Sequence, residues 1–291
     1  MILQIAGWNI RVSCSDTVAD RLHNLKPFLL PENPKDLPDL ICRLELGCTL
    51  PVRDKNPDVV NHLDRRTIQI WLTADYCDVS LSLFDTSSVY RLRADRRWNR
   101  VQTDLKLETP EDYAVLNDFI MISFIYSTAF AGGVLIHASC VRIGDDGVAF
   151  VGPSGIGKST HSQLWLKHIP EARLLNDDQP VLRLMPDGKV MLFGSPWSGK
   201  TPCYINEGVR LTAIYRMEQA DENRVVRMEG VEAFRMLLNF TSLISRDGLT
   251  FAAISGTLAQ IAGILPIFTL YNKPEQAAAE LSYSIFKANK I

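Results

Sequence analysis

Hydrophobic and polar positions change their spacing once along the chain. Over residues 1 to about 108 the apolar positions fall in short, largely alternating runs, such as 67–72 and 79–84. Polar turn clusters such as PENPKDLPD and VRDKNPD separate them. Period two between turn residues predicts a β-rich region. Thr109-Pro110 then supplies a capping hydroxyl and a proline at the first helical position, with Glu111 and Asp112 at the positive end of the helix dipole. A long helix to about residue 131 follows.

The run 119–136 (FIMISFIYSTAFAGGVLI) has 18 residues and no charge, long enough by count to enter a membrane. Ser123, Tyr126, Ser127 and Thr128 interrupt it, Gly132-Gly133 break it, and no Lys/Arg cluster flanks it. It is therefore expected as a buried helix running into a buried strand, with no membrane partner.

Beyond it the pattern predicts a hairpin of strands 134–143 and 148–151, a glycine-rich loop, a helix from 159 to 168 stopped by Pro170, and a strand 172–175. A second hairpin (181–185, 189–193) turns at Pro186-Asp187-Gly188. Strand 211–217, helices near 230–244 and 248–263, strand 267–270 and a helix after Pro274 complete the reading. The expectation is an α/β chain in two regions, 1–108 and 109–291, without internal repeats.

Composition narrows the class. With 291 residues, 46% hydrophobic and 22% charged, the chain can bury a core. Its 31 basic and 33 acidic residues leave a net charge of -2, so no whole-chain field holds nucleic acid or an anionic membrane. Six cysteines lack C-x-x-C and zinc-site spacings, and the first residues lack an export signal. Reduced thiols and a cytoplasmic location are expected.

The chemistry concentrates at Gly152-Pro153-Ser154-Gly155-Ile156-Gly157-Lys158-Ser159, a full match to the P-loop (Walker A) pattern G-x-x-x-x-G-K-[ST]. It lies between a predicted strand and a predicted helix, where backbone N–H groups can surround a polyphosphate. The glycines admit the phosphates, Lys158 supplies a cation, the Ser159 hydroxyl suits Mg²⁺, and Thr160 adds a second hydroxyl. ATP and Mg²⁺ are the expected cofactors. Transporter-type ATPases share such a loop, but no LSGGQ-like segment is present.

Asn176-Asp177-Asp178-Gln179 begins the next feature, with Asp177 19 residues after Lys158. A ten-residue helix leads about 15 Å away, and the following strand can return its end to the loop. Neighbouring residues on a strand point to opposite sides, so one Asp can attend Mg²⁺ and the other an acceptor hydroxyl.

The stretch 137–184, HASCVRIGDDGVAFVGPSGIGKSTHSQLWLKHIPEARLLNDDQPVLRL, resembles the catalytic domain of HPr kinase/phosphorylase and its phosphoenolpyruvate-carboxykinase-like relatives. The likeness extends more loosely over about 110–291. It implies a mixed, largely antiparallel sheet and kinase chemistry, with Asp177 as general base, Asp178 at the metal, and His137 in the site. The Glu-x-Arg-Gly-Leu-Gly segment of HPr kinases is absent, so the resemblance does not extend to HPr recognition or reverse phosphorolysis. Ser195-Pro196-Trp197-Ser198-Gly199-Lys200 looks instead like the loop of smaller relatives that include kinases of modified peptides and free amino acids, and brings Lys200 toward phosphates or substrate.

Bland readings stand beside these. His137 also reads as a core strand histidine, and Lys200 as an exposed lysine after a turn. His161 and His168, seven apart, lack a third metal ligand. Arg91, Arg93, Arg96, Arg97 and Arg100 around Trp98 read as a solvated strand face paired with acids, with docking of an acidic peptide or a phosphate-bearing substrate as the alternative. The leading expectation is phosphoryl transfer from ATP to a hydroxyl of a peptide, protein or small molecule. The alternatives are a nucleotide-sensing module with little catalysis and, further off, carboxykinase-like chemistry on oxaloacetate. Homo-oligomerisation is left open.

Overall fold

The computed structural model describes residues 1–30, 37–63, 66–84 and 88–289; most of the PENPKDLPD cluster lies outside them. The chain divides into two units, 1–131 with 243–252, and 132–242 with 253–291.

In the first unit, strands β1 (Ile2–Ile5), β2 (Trp8–Val12), β3 (Leu40–Glu45), β4 (Val59–Leu63), β5 (Arg66–Leu72), β6 (Tyr76–Leu83), β7 (Val89–Asp95) and β8 (Arg100–Thr103) form one sheet of order β1-β2-β3-β8-β7-β6-β5-β4. The β2–β3 and β3–β8 pairs are parallel and the others antiparallel. Alternation gives the sheet two unlike faces. Ile10, Val12, Cys42, Leu44, Leu92, Ala94 and Val101 are buried, while Arg11, Arg43, Glu45, Arg93 and Arg100 between them are not.

Helix α1 (Pro110–Ala129) belongs with this sheet, so the division falls after residue 131 rather than at 108/109. The reason is packing: Trp8 meets Phe124 at 6.2 Å between ring centroids, and Trp98 meets Tyr126 at 4.8 Å. The Thr109 hydroxyl and the Asp112 carboxylate cap the helix reciprocally. Its buried Ser123, Ser127 and Thr128 donate to carbonyls of the preceding turn, which is how the charge-free run hides its hydroxyls. No helix of the described residues is long and apolar enough to cross a membrane.

Most of the arginine-rich stretch is spoken for. Arg91 pairs with Asp104, Arg93 with Asp78 and Arg96 with Asp247. Arg97 lies over Phe130, and Trp98 is fully buried.

The second unit contains β9 (Gly133–Leu135), β10 (Ala138–Ile143), β11 (Asp146–Val151), β12 (Arg173–Asp178), β13 (Val181–Leu184), β14 (Val190–Phe193), β15 (Gly208–Gln219), β16 (Arg224–Met228) and β17 (Ile267–Asn272). Its sheet runs β12-β10-β11-β15-β14-β13-β9, with β17 on β15 and β16 on β17. The β11–β15 and β15–β17 pairs are parallel within an otherwise antiparallel sheet. Helices are α2 (Lys158–His168), α3 (Gly230–Asn239), α4 (Gly248–Ile264), whose first residues fall to the first unit, and α5 (Gln276–Ala288).

Three expectations are corrected here. The single strand 134–143 is two, because the N–H groups of Ile136 and His137 turn to the carbonyls of Pro180 and Phe240. Strand β12 continues to Asp178 instead of stopping at 175, held by pairing with β10. Helix α3 ends at Asn239 rather than 244, and the edge strand β16 was not anticipated, its apolar run Val225-Val226 being short and flanked by Arg224 and Arg227.

The core places Phe150, Tyr215 and Phe268 in one cross-strand row, stacked at 5.5 and 5.6 Å. Trp165 of α2 packs on Phe150 and on Phe286 of α5, and its indole N–H donates to Ser282 Oγ at 2.8 Å. His161, 1% exposed, sits against Phe150 and Ser282. Among the described residues no group of three His, Cys, Asp or Glu is placed to hold a metal.

Burial pushes the His161 ring down to about 4 from its ordinary 6.5. The unfolded chain therefore takes a proton near pH 6.5 that the folded chain refuses until about pH 4, and stability falls as pH drops through that window. By linkage the loss approaches about 3 kcal/mol. Urea midpoints at pH 7 and 4.5 should show a steeper acid loss for the wild type than for His161→Gln; equal slopes would remove His161 as the cause.

Candidate functional site

Strand pairing assembles the site. Ala138 of β10 stands opposite both Val151 of β11 and Asp178 of β12. At a strand spacing of about 4.8 Å, this row brings together the start of the glycine loop, the residue after His137 and the acidic doublet. The hairpin and the return strand thus converge without any loop having to reach.

The fully buried β11 ends at Val151, and α2 opens at Lys158 with Gly157 as its N-cap residue, at φ +110°. That backbone conformation favours glycine. The site cavity, about 520 Å³, is lined by Ser154, Gly155, Gly157, Lys158, Ser159, Thr160, His137, Asp177, Asp178 and Lys200. Gly152, Pro153 and Ile156 form the rest of the turn; Gly152 and Pro153 turn their carbonyls to the lysine.

Lys158, 9% exposed, donates from Nζ to Gly152 O at 2.9 Å and Pro153 O at 3.2 Å, and lies 2.9 Å from His137 Nε2. An ammonium only donates, so Nε2 accepts and Nδ1 carries the hydrogen. Nδ1 stands 2.8 Å from Asp178 Oδ1. A chain Lys158–His137–Asp178 results. Burial lowers the Lys158 pKa from its usual value, and Asp178 and Asp177 oppose the shift.

The two acids divide as their strand positions require. Asp177, 5% exposed, accepts from Ser159 Oγ at 2.8 Å. Asp178 is half-buried and meets the histidine instead. His137 is not mid-strand: it occupies the break between β9 and β10, where its ring is free to face the cavity.

The loop after β14 closes over the doublet. Gly199 N donates to Asp177 O at 2.7 Å, and a Cβ on Gly199 would stand 2.8 Å from that oxygen, so only glycine fits. Asn176 Nδ2 donates to Trp197 O at 3.1 Å, and Ser195 Oγ to Gln179 O at 2.6 Å. These pins carry Lys200 and Thr201 to the rim. Asn176 and Ser195 were not foreseen as positioning residues. The only signal for them is that two polar residues fall within or beside otherwise buried segments.

A second cavity of about 540 Å³ opens on the other flank of the turn, bounded by Gly155, Thr160, Gln219, Asp221, Asn272 and Lys273. Gln219 and Asn272 end β15 and β17, and Asp221 and Lys273 follow them, all far away in sequence. Nearby, the Cys140 thiol is pushed well up by burial and Cys203 up to about 11, so neither is a ready nucleophile. All six cysteines are free thiols.

No family model matches the chain, and no curated protein matches it. Among solved structures it is similar to the Hpr(Ser) kinase/phosphatase from Coxiella burnetii, with 13% identity and a TM-score of 0.31, over 53% of this chain and 88% of that one.

Proposed function

We propose that the second unit binds a nucleoside triphosphate with Mg²⁺ and transfers its terminal phosphoryl group to a hydroxyl acceptor. The observation that carries this reading is the 2.8 Å hydrogen bond between Ser159 Oγ and Asp177 Oδ1, beside the Lys158–His137–Asp178 chain in the same cavity. The donor set suits Mg²⁺, which is held by a hydroxyl, one or two carboxylates and phosphate oxygens rather than by an all-protein cage.

Bound Mg²⁺ would neutralise charge on the transferring group. Ser159 and Asp177 are the residues that would hold it. The N–H groups of the turn and the start of α2 receive the phosphates. Lys158 exchanges its bonds to the Gly152 and Pro153 carbonyls for phosphate oxygens. The second cavity suits the nucleoside.

This reading exchanges the roles that the family resemblance implies for the two acids. The carboxylate already on the Ser159 hydroxyl is suited to the metal. Asp178, facing the cavity, is suited to accept the proton of the attacking hydroxyl, with His137 Nδ1–H orienting it. Lys200, exposed at the rim, adds a cation for substrate.

Titrating Mg²⁺ into Asp177→Asn in the presence of ATP tests the assignment. The expected result is a Mg²⁺ requirement raised by roughly 10- to 100-fold, with binding of metal-free ATP little changed. An unchanged Mg²⁺ requirement would reject the metal role. Tight ATP binding with no γ-phosphoryl turnover by the wild type against any hydroxyl acceptor, water included, would point instead to a nucleotide sensor.

A further inference from the structure

On the first unit, the sheet face turned away from the buried side chains carries a charge arrangement that the fold does not use. Arg11 of β2 stands opposite Arg43 of β3, and Arg43 opposite Arg100 of β8. With strands about 4.8 Å apart, three cationic side chains start in one row roughly 10 Å long. Like charges directly opposite on a sheet repel.

Other arginines of this face are neutralised, Arg93 by Asp78 and Arg91 by Asp104. Among the described residues, Arg11, Arg43 and Arg100 have no carboxylate within ion-pair distance, and Arg11 Nε is buried without a hydrogen-bond partner. The acids standing among them are engaged elsewhere. Asp95 accepts from the backbone N–H groups of Arg97, Asn99 and Arg100, and Glu45 from Gln102 Nε2. The row runs between two adjoining cavities of about 540 and 640 Å³ that share Arg43 and Glu45.

We propose that this row is a docking surface for an acidic peptide segment, whose carboxylates take the forks of Arg11, Arg43 and Arg100. The surface is longer than one small anion needs. Glu45 and Asp95 beside the row disfavour an evenly charged phosphate backbone, whereas a peptide can space its carboxylates around them. The repulsion left standing in the free protein is the cost that such a partner relieves. This surface is independent of the nucleotide reading.

The test uses the full chain and a short fluorescein-labelled peptide of alternating glutamate and serine, followed by anisotropy at low salt. The glutamate peptide should bind, its glutamine counterpart should not, and added salt should weaken the complex. Arg43 and Arg100 are exposed, so the double variant R43Q/R100Q should fold, with a Tm no lower than that of the wild type, and bind at least about tenfold more weakly. Arg235→Gln on α3 is the control and should bind as the wild type does. Equal binding by the double variant, equal binding of the glutamine peptide, or tighter binding of a single-stranded oligonucleotide would each overturn the proposal.

Discussion

Asp178→Asn should retain Mg²⁺-dependent nucleotide binding within a few-fold and lower phosphoryl turnover by roughly 10²- to 10⁴-fold, the usual range for loss of a general base. The amide keeps the shape of the carboxylate, and its oxygen can still accept from His137 Nδ1, which lies 2.8 Å from Asp178 Oδ1 in the native chain. What it loses is the capacity to take a proton. Because Asp178 is half-buried, no uncompensated interior charge is created and the fold should survive. Turnover is read as γ-phosphate released or transferred, and binding by calorimetry on the same preparation. Turnover at the wild-type level would exclude Asp178 as the base. A turnover loss confined to Asp177→Asn, with its Mg²⁺ requirement intact, would restore the order of roles that the family resemblance implies.

Lys158→Met should weaken ATP binding by roughly 10- to 100-fold and turnover by 10² or more, because a donor aimed at developing charge acts most strongly where water is excluded. Methionine preserves most of the stem's volume, so loss of fold is not the expected cause. A pH profile separates charge from packing. Burial holds the Lys158 pKa below its usual 10.5, and incoming phosphates favour the charged form. Above the lowered pKa of the free protein, binding must take up a proton, so wild-type affinity falls as pH rises. Lys158→Met should show no such slope; an identical slope in both proteins would assign it to another group.

Local patterns made the glycine turn, α2 and the acidic doublet readable, since each is specified by residues within a few positions of one another. Element lengths alone sufficed to suggest that Asp177 and Asp178 return to the turn. The break at Ile136–His137 was not readable, because it depends on Pro180 and Phe240 as backbone partners. His137 consequently looked like a residue within a strand, and its link to Asp178 exists only because β10 pairs on both sides. Asn176, Ser195 and the second cavity were hidden for the same reason: their partners lie many residues away. In the first unit the paired arginines of 91–96 were legible as a face balanced by acids. The Arg11–Arg43–Arg100 row was not, as it requires the parallel register of three strands distant in sequence.

The β10–β12 pairing shifts register once, between Cys140 and Val141. Such an irregularity locally uncouples the ladder on either side of it. The hairpin's far end, at Gly144-Asp145, can therefore vary in length without sliding Asp178 past His137. A change at that distant turn is therefore expected to leave Asp178 opposite Ala138.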